Sequence, residues 1–285
     1  MSYLNIFSLV SQNIFCLYTE FMKNIKTFIT QDGSVGLYDE KLDEIFHSKF
    51  GAKTEAFEKF IEPALIYKNK PIKILDICYG IGYNTKCALE NFTNILEIDC
   101  LEINSELVQR SAEFEYSKSI NEIVANNLKK PDFINFYIDD ARIAIQKLNK
   151  KYDIIFHDGF APHKQSVLWS EDFILKIASL AHKDTIYCTY NHSKPILNAL
   201  HLAGFNIGKT LKNGKLIGTI ASFNPDLIKN KYNEIELEEL NTKSAITYKD
   251  KDFELTHREI IENREKEILN SNKITLSQYK KMQKG

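Results

Sequence analysis

The sequence has no long uninterrupted apolar run, although 44% of its 285 residues are apolar. A membrane-spanning helix needs ~20 consecutive, mostly apolar residues, whereas polar residues interrupt the first twenty throughout, MSYLNIFSLVSQNIFCLYTE. This stretch also lacks the basic start and the cleavage site of a signal peptide. We therefore expect a cytoplasmic protein with no membrane partner. Residues 1–21 are expected to be an N-terminal extension, either an appended helix or an over-extended start.

Cysteine pairs, metal-ligand spacings and a strong net charge are also missing. The five cysteines form no CxxC motif and the seven histidines show no metal-ligand spacing, which predicts reduced thiols and no metal. The formal net charge is −1, so bulk electrostatics does not indicate a partner. The length and the apolar content suffice for one large domain, alone or with appendages.

Buried strands alternate with helical patterns through the middle of the chain, which is typical of a doubly wound, mostly parallel α/β sheet. The predicted strands are residues 72–77, 95–102, 133–138, 152–157 and 184–190. The predicted helices are residues 84–92, 104–128, 140–149, 168–182 and 194–203. Two further strands, 205–211 and 216–223, flank Asn213-Gly214, which is a strong signal for a β-hairpin. The sequence therefore predicts one α/β domain over residues 71–225 with a C-terminal hairpin.

Two further segments flank this domain. Residues 22–70 begin with a hairpin at Asp32-Gly33, which is a turn signal, and continue into a helix that starts near Gly51. Residues 226–285 are rich in Lys and Glu and contain few apolar residues. We expect them to form a charged C-terminal extension of peripheral helices and extended segments.

Glycines and an acid lie at the end of the first predicted strand of the domain. The segment ILDICYGIGYNT places Asp76, Gly80 and Gly82 between that strand and the next helix. In open α/β sheets ligands bind beyond the carboxyl ends of the strands, and glycines there let the backbone approach the ligand. The GxG motif alone is weak evidence, because a tight turn also explains it and Thr85 replaces the third glycine of the dinucleotide motif.

Acidic residues also end the second and third strands. Glu102 ends the second strand, where a carboxylate can hold two ribose hydroxyls, whereas Glu97 and Asp99 are expected on the faces of the sheet. Asp139 or Asp140 ends the third strand and can accept a hydrogen bond from an adenine amine, although Asp140 is also explained as a helix N-cap. With the glycines, these acids predict a nucleoside pocket without a pyrophosphate grip, which favours S-adenosylmethionine over NAD.

The segment HDGFAPHKQSVLW, residues 157–169, follows the fourth strand. Asp158 is expected beside the first strand, in the crevice where the methyl group of the cofactor would emerge. An amine that attacks this methyl group needs in-line positioning and an acceptor for its proton. Asp158 and the carbonyl of Pro162 would be the acceptors and Phe160 a stacking surface, so these three are the predicted catalytic residues. A structural turn, with Asp158 capping backbone amides, is the alternative.

Three segments carry a family resemblance that covers about residues 25–223. DGFAP with a downstream Trp, YGIGYN and LYDEKLDEIFHSKFGAKTEA together resemble the methyltransferase half of MnmC, a bifunctional bacterial enzyme of tRNA wobble-uridine modification. The resemblance implies a class I, Rossmann-like methyltransferase that uses S-adenosylmethionine to convert 5-aminomethyl-2-thiouridine, in the anticodon region of tRNA, to its methylaminomethyl form. It also implies that Gly80 and Gly82 lie beside the methionine moiety, Glu102 on the ribose and Asp158 at the target amine.

The sequence departs from the family pattern at two places. Cys78 stands where such methyltransferases usually have a glycine, so the approach of the backbone is expected to be looser there. Gln165-Ser166 replaces the Asn-Pro of the family, which predicts a less rigid loop in which Ser166 can still cap the following helix. The flavin-dependent oxidoreductase half is not found after residue 223, so this chain would only methylate. A separate oxidoreductase or the upstream modifying enzymes would then supply its substrate.

Two other functions stay open from the sequence. An aminopropyltransferase, or another small-amine N-methyltransferase, has the same fold and an acid-lined pocket, but aminopropyltransferases usually have a longer glycine run and a second acid close to the catalytic one. A non-catalytic RNA-binding protein with a vestigial pocket is the other alternative. Cofactor binding separates this last alternative from the enzymes.

A group of lysines predicts where tRNA would bind. No acidic residue occurs from Thr185 to Pro225, and Lys209, Lys212 and Lys215 lie around the predicted hairpin turn. A local excess of positive charge can hold a phosphate backbone even where the net charge of the chain is near zero. The alternative is that these lysines only keep exposed strands and the turn soluble.

Overall fold

The structure, a computed structural model, describes residues 25–40, 43–46 and 49–283. The predicted N-terminal extension, residues 1–21, lies outside these ranges. A small antiparallel sheet comes first, with strands Ile25–Ile29 (β1), Val35–Asp39 (β2) and Glu44–Ile45 (β3). The predicted turn at Asp32-Gly33 connects β1 to β2, and Asp32 Oδ2 accepts a hydrogen bond from the Thr54 N–H at 2.8 Å. This bond attaches the turn to the first helix.

A seven-stranded sheet forms the centre of the protein. Its strands are Ile72–Ile77 (β4), Ile95–Glu102 (β5), Ile134–Ile138 (β6), Tyr152–His157 (β7), Ala181–Thr189 (β8), Asn206–Lys212 (β9) and Lys215–Ser222 (β10). They follow the order β6-β5-β4-β7-β8-β10-β9. Neighbours from β6 to β8 are parallel, whereas β10 is antiparallel to β8 and β9. The predicted doubly wound sheet with its terminal hairpin is confirmed, and its switch point lies between β4 and β7, where ligands bind in such sheets.

Helices cover both faces of this sheet. They are Ala52–Ala56 (α1), Tyr83–Asn91 (α2), Ser105–Arg110 (α3), Lys118–Lys129 (α4), Ala141–Ala144 (α5), Glu171–Ser179 (α6), Lys194–Leu202 (α7), Glu234–Glu238 (α8), His257–Asn270 (α9) and Leu276–Met282 (α10). As predicted, α1 starts next to Gly51, and it continues as a π-helical turn, Phe57–Ile61, and a 3₁₀ helix, Glu62–Tyr67. Within the described ranges, no helix combines the length and the apolar character that crossing a membrane requires.

The single helix predicted over residues 104–128 is wrong, because the chain forms two helices there, α3 and α4. Between them lies a 3₁₀ turn, Ser111–Glu113, after which Phe114 becomes extended and buries its ring. Buried Lys86 on α2 donates from Nζ to the carbonyls of Ser111 and Phe114, at 2.6 and 3.0 Å. A continuous helix would use these carbonyls itself, so Lys86 stabilises the interruption. Burial lowers the pKa of Lys86 to about 7.

Alternate side chains of the central strands pack on opposite faces of the large sheet. Ile74 of β4 and Phe156 of β7 form a core with Phe60 on one face. Leu75 of β4 belongs to a second core, which contains Trp169, on the other face. Because both faces are buried, the strands are nearly continuous apolar runs, and this made their bounds predictable.

The segment after the hairpin, residues 226–283, packs more closely than a peripheral extension would. Several of its apolar side chains, including Leu240, Ala245 and Ile260, are buried in the same core as Trp169, whereas Leu269 and Met282 are exposed. Tyr248 also forms a β-bridge with Ser170, immediately before α6. The inner side of the segment therefore belongs to the core of the main domain, and its charged residues lie on the outer side.

Candidate active site

The loop between β4 and α2 has an unusual backbone conformation. Its residues Cys78, Gly80 and Gly82 have φ angles of +68°, +58° and +81°, in the left-handed region that glycine adopts without steric cost. A Cβ at Gly82 would lie 2.4 Å from Oη of Tyr79, and Tyr79 is buried with its hydroxyl bonded to Ser111 Oγ at 3.0 Å. Gly82 is therefore required by the loop itself, and Cys78 keeps the conformation expected of the glycine it replaces.

Glu102, at the end of β5, is bonded to this loop. Its Oε2 accepts a hydrogen bond from the Gly80 N–H at 2.8 Å, and its Oε1 accepts one from the Asn104 N–H at 2.9 Å. Burial raises the pKa of Glu102, and these two backbone donors oppose the increase. Each carboxylate oxygen has a second lone pair for a ligand hydroxyl. Glu97 and Asp99, which were expected on the faces of the sheet, instead form ion pairs with Lys150, at 2.6 and 2.7 Å.

Asp76 lies beneath the same loop and is fully buried. Its Oδ2 accepts a hydrogen bond from Thr85 Oγ1 at 2.6 Å, whereas Oδ1 has no hydrogen-bond partner in the described part of the chain. Burial raises the pKa of Asp76 to about 7. Thr85, the residue that breaks the dinucleotide motif, thus holds a carboxylate whose second oxygen can accept a bond from a ligand donor.

Both acids at the end of β6 are already engaged. Asp139 Oδ2 forms an ion pair with Lys147 at 2.8 Å. Asp140 is the N-cap of α5, where its Oδ1 accepts the Arg142 N–H at 2.9 Å, and its Oδ2 accepts from Arg142 Nη2 at 2.8 Å. The N-cap interpretation of Asp140 is therefore correct. A contact between either acid and an adenine amine would use a remaining lone pair beside these bonds.

Asp158 lies at the switch point between β4 and β7. Its N–H donates to the Ile77 carbonyl at 3.1 Å, and its Oδ2 accepts a hydrogen bond from Asn84 Nδ2 at 2.9 Å. Since Asn84 is in the first turn of α2, the carboxylate faces the helix that follows the glycine loop. Burial, together with the charge of Glu55, raises the pKa of Asp158 to about 7. The sequence analysis assigned no role to Asn84, although it is the last residue of the YGIGYN segment that carries the family resemblance.

Two side chains from later in the loop that follows Asp158 hold its start, at Phe160. The Phe160 carbonyl accepts a hydrogen bond from Trp169 Nε1 at 2.6 Å, and the Phe160 N–H donates to Gln165 Oε1 at 3.1 Å. The ring of Phe160 packs edge-on against Phe46, with centroids 5.0 Å apart. Pro162 is buried. The downstream Trp169 therefore holds the loop. The hydrogen bond of Gln165 compensates for the rigidity that the loop was expected to lose with the Asn-Pro of the family.

Ser166 differs from its predicted role as a helix cap. The N-cap of α6 is Ser170, whose Oγ accepts the Phe173 N–H at 3.1 Å. Ser166 is fully buried and instead bonds to His257, which it reaches from both its N–H and its Oγ. The loop is thereby connected to α9.

Known proteins resemble this chain in sequence and in structure. A family model described as S-adenosyl-L-methionine-dependent methyltransferase matches residues 104–223. An uncharacterized protein of Methanocaldococcus jannaschii is 32% identical over 276 residues, which are 90% of this chain and 77% of that protein. The crystal structure of MnmC2 from Aquifex aeolicus has a TM-score of 0.72 and 25% identity, and covers 87% of this chain and 86% of that chain. The chain belongs to the MnmC-type methyltransferase family.

The match to the named family members covers part of their length. The tRNA 5-methylaminomethyl-2-thiouridine biosynthesis bifunctional protein MnmC of Campylobacter hominis is 25% identical over 197 residues, which are 63% of this chain and 29% of that protein. The chain thus matches less than a third of the length of this relative. As a family member with this fold, it is an S-adenosylmethionine-dependent methyltransferase.

Further residues that the sequence did not indicate lie around the family's DGFAP segment. Tyr190, just after β8, donates from its hydroxyl to the Gly159 carbonyl at 2.9 Å. Lys59 Nζ lies 5.6 Å from the centre of the Tyr190 ring and forms an ion pair with Glu55. Tyr190 lies 31 residues after Gly159, and Lys59 lies in the segment that follows α1. Neither position gives a local signal of this contact.

The lysines of the hairpin are less available than the sequence predicted. Lys209 forms an ion pair with Glu236 at 2.5 Å, and Lys212 forms one with Glu58 at 3.0 Å. Both acids lie outside the acid-free stretch from which the positive patch was predicted, so the expected local excess of charge is partly neutralised. Lys215, next to the turn, has no ion pair within the described ranges.

Proposed function

We propose that this chain transfers the methyl group of S-adenosylmethionine to the amine of 5-aminomethyl-2-thiouridine at the wobble position of tRNA. The names of the MnmC relatives give 5-methylaminomethyl-2-thiouridine in tRNA as the product of the biosynthesis, and the proposed substrate is this nucleoside without its N-methyl group. The observation that carries the proposal is the Asp158 carboxylate at the switch point, bonded to Asn84 at 2.9 Å. The longer relatives contain more than this domain, so the proposal concerns the methyl-transfer step alone.

The residues around the glycine loop fit S-adenosylmethionine, which supplies an electrophilic methyl group when it is bound. Glu102 has lone pairs for the two ribose hydroxyls, and the second oxygen of Asp76 is a buried acceptor for an ammonium group. The open backbone at Gly80 lets a ligand approach, because a Cβ there would meet only the ring of Phe46, at 3.9 Å. Asp140 is the acid proposed for the adenine amine.

Asp158 would control the protonation of the target amine. An alkylammonium group must lose a proton before its nitrogen can attack a methyl group, and an ionised carboxylate within hydrogen-bond reach can accept that proton. With a pKa raised to about 7, Asp158 is largely ionised at slightly alkaline pH and a better base than an ordinary Asp. Attack by the neutral amine would form the N–C bond as the methyl–sulfur bond breaks, and would release S-adenosylhomocysteine as a neutral thioether. The product would be a secondary ammonium with two protons, which needs no second acceptor on the protein.

Acceptor specificity tests this proposal. The full chain is incubated with methyl-labelled S-adenosylmethionine and three acceptors: tRNA from cells that lack the wobble methyltransferase, fully modified tRNA, and the small amine putrescine. The proposal predicts labelling of the undermodified tRNA only. Labelling of putrescine would support a small-amine N-methyltransferase instead. Cofactor binding without any labelling would leave a non-catalytic RNA-binding protein.

A further inference from the structure

The segment after the hairpin contacts both sides of the candidate site. Residues 248–257, here called the C-terminal clasp, reach Arg142, the partner of Asp140, and Ser166 of the loop that follows Asp158. We propose that the clasp positions these two acids separately, Asp140 for cofactor binding through Asp250 and Asp158 for methyl transfer through His257. This inference rests on the proposed function for the roles of the two acids.

The clasp is held firmly against the domain. The Glu171 N–H donates to the Tyr248 carbonyl at 2.8 Å, and the guanidinium of Arg264 lies 4.7 Å from the centre of the Tyr248 ring. Arg264 Nε also donates to the Ile246 carbonyl at 2.7 Å. A segment fixed at its start by α6 and by α9 can serve as a rigid support for the residues that it contacts.

On the cofactor side of the clasp, Arg142 bridges the carboxylates of Asp250 and Asp140. Arg142 Nη1 donates to Asp250 Oδ2 and to the Leu255 carbonyl, each at 2.9 Å, while its Nη2 donates to Asp140 at 2.8 Å. Asp250 is fully buried. A buried carboxylate needs its cationic partner, so Asp250 fixes the guanidinium, and the guanidinium fixes Asp140. Asp250 is a positioning residue because it acts on the cofactor acid only through Arg142.

The target side of the clasp is a pair of hydrogen bonds to His257. The Ser166 N–H donates to His257 Nδ1 at 3.0 Å, and Ser166 Oγ lies 2.8 Å from the same nitrogen. Ser166 Oγ also lies 3.1 Å from the His257 carbonyl, and its single proton can be donated either to this oxygen or to Nδ1. Because a backbone N–H can only donate, Nδ1 must be an acceptor and the ring proton is on Nε2. Ser166 is in the loop whose other end is Asp158, so His257 positions that loop.

The cofactor side and the target side of the clasp predict opposite kinetic effects. Asp250→Asn keeps the size of the side chain but removes its charge. We expect it to raise the dissociation constant for S-adenosylmethionine about tenfold, the loss typical of a hydrogen bond to a charged group. Its kcat at saturating cofactor should stay within about twofold of the parent. Arg142→Lys, which keeps the positive charge but cannot bridge both acids, should give the same result if Asp250→Asn does not fold.

His257→Ala should do the reverse. We expect kcat to fall about tenfold, because small displacements of a catalytic loop reduce the rate strongly, while the dissociation constant for S-adenosylmethionine stays within about twofold. His257→Asn is the rescue variant, since its Oδ1 can take the place of Nδ1, and should recover kcat to within about threefold of the parent. Trp169, the single tryptophan, holds the same loop, so its fluorescence should change in His257→Ala and return in His257→Asn.

Lys249→Ala is the matched control, because Lys249 lies in the clasp and its ion pair in the described part of the chain is an exposed one with Glu267. It should leave both quantities at the parental values. If the parent methylates no tRNA, the cofactor dissociation constant of Asp250→Asn and the Trp169 fluorescence of His257→Ala still test the clasp. The inference is overturned if Asp250→Asn and His257→Ala change both quantities alike, if neither variant differs from Lys249→Ala, or if His257→Asn is as impaired as His257→Ala.

Discussion

Gly80 donates its backbone N–H to the carboxylate of Glu102 at 2.8 Å, which joins the loop after β4 to the end of β5. This bond makes the glycine loop and the proposed ribose acid one structural unit. Any ligand held by Glu102 is therefore held at a fixed distance from the loop that carries Gly82. Glu102 follows Gly80 by 22 residues in the sequence, and this bond joins the two in space.

Glu102→Ala should weaken the binding of S-adenosylmethionine. Each hydrogen bond between a ribose hydroxyl and a charged acceptor contributes at most ~1.5–3 kcal/mol, and the variant also frees the Gly80 N–H. Calorimetry gives the dissociation constant, with Glu97→Ala on the same strand as the control. An unchanged constant in Glu102→Ala would move the ribose acid to another residue.

Asp158→Asn should keep the affinity for S-adenosylmethionine within a few-fold. It should lower kcat for methyl transfer by ~10²–10⁴, the usual effect of removing a positioned acid or base. Single-turnover methylation of undermodified tRNA measures this loss. The control is Asp153→Asn, because Asp153 lies near the other end of β7 and bonds to the Lys73 N–H. A parental rate in Asp158→Asn would make Asp158 a turn residue only.

The pH dependence of the rate follows from the pKa of Asp158, which burial raises to about 7. The ionised carboxylate is the active form, so kcat should be level above about pH 8 and fall about tenfold per pH unit well below pH 7. Rates measured from about pH 5.5 to about pH 9 at saturating substrates test this. The Asp158→Asn variant must lack this fall of kcat at low pH. If the variant keeps the fall, another group is responsible for it.

Replacement of Lys209, Lys212 and Lys215 by Ala tests the tRNA surface. If these lysines contact phosphates, KM for tRNA should rise, and the slope of log affinity against log salt should flatten by ~0.7–0.9 per lost contact. Because Lys209 and Lys212 are paired with glutamates, Lys215→Ala alone should account for most of the change. Lys183→Ala, at an exposed lysine of β8 outside the hairpin, is the control. An unaltered salt slope in the triple variant would exclude the hairpin as the tRNA surface.

The central sheet was predictable from the sequence, whereas the contacts between distant segments were not. Asp158 and Glu102 lie at the ends of long apolar strands, and parallel strands bring such ends to one edge. Asn84 and His257 gain their roles from partners 74 and 91 residues away. The lysine patch was overestimated for the same reason, since Glu58 and Glu236 reach the hairpin from other segments.

The break between α3 and α4 could not be predicted for a similar reason. The apolar residues there, Phe114 among them, continue a helical pattern, whereas side-chain hydrogen bonds from Lys86 and Asn121 to the Phe114 carbonyl stabilise the extended conformation. A local pattern cannot report a hydrogen bond to a side chain of another helix.

Nucleoside analysis of the reaction product tests the central claim most directly. Undermodified tRNA is incubated with the full chain and S-adenosylmethionine, digested to nucleosides and analysed by mass spectrometry. Our account predicts that 5-aminomethyl-2-thiouridine disappears and that its N-methyl form appears in equal amount, and that neither change occurs with Asp158→Asn. A methyl group on any other nucleoside, or an unchanged 5-aminomethyl-2-thiouridine peak with active cofactor binding, would contradict it.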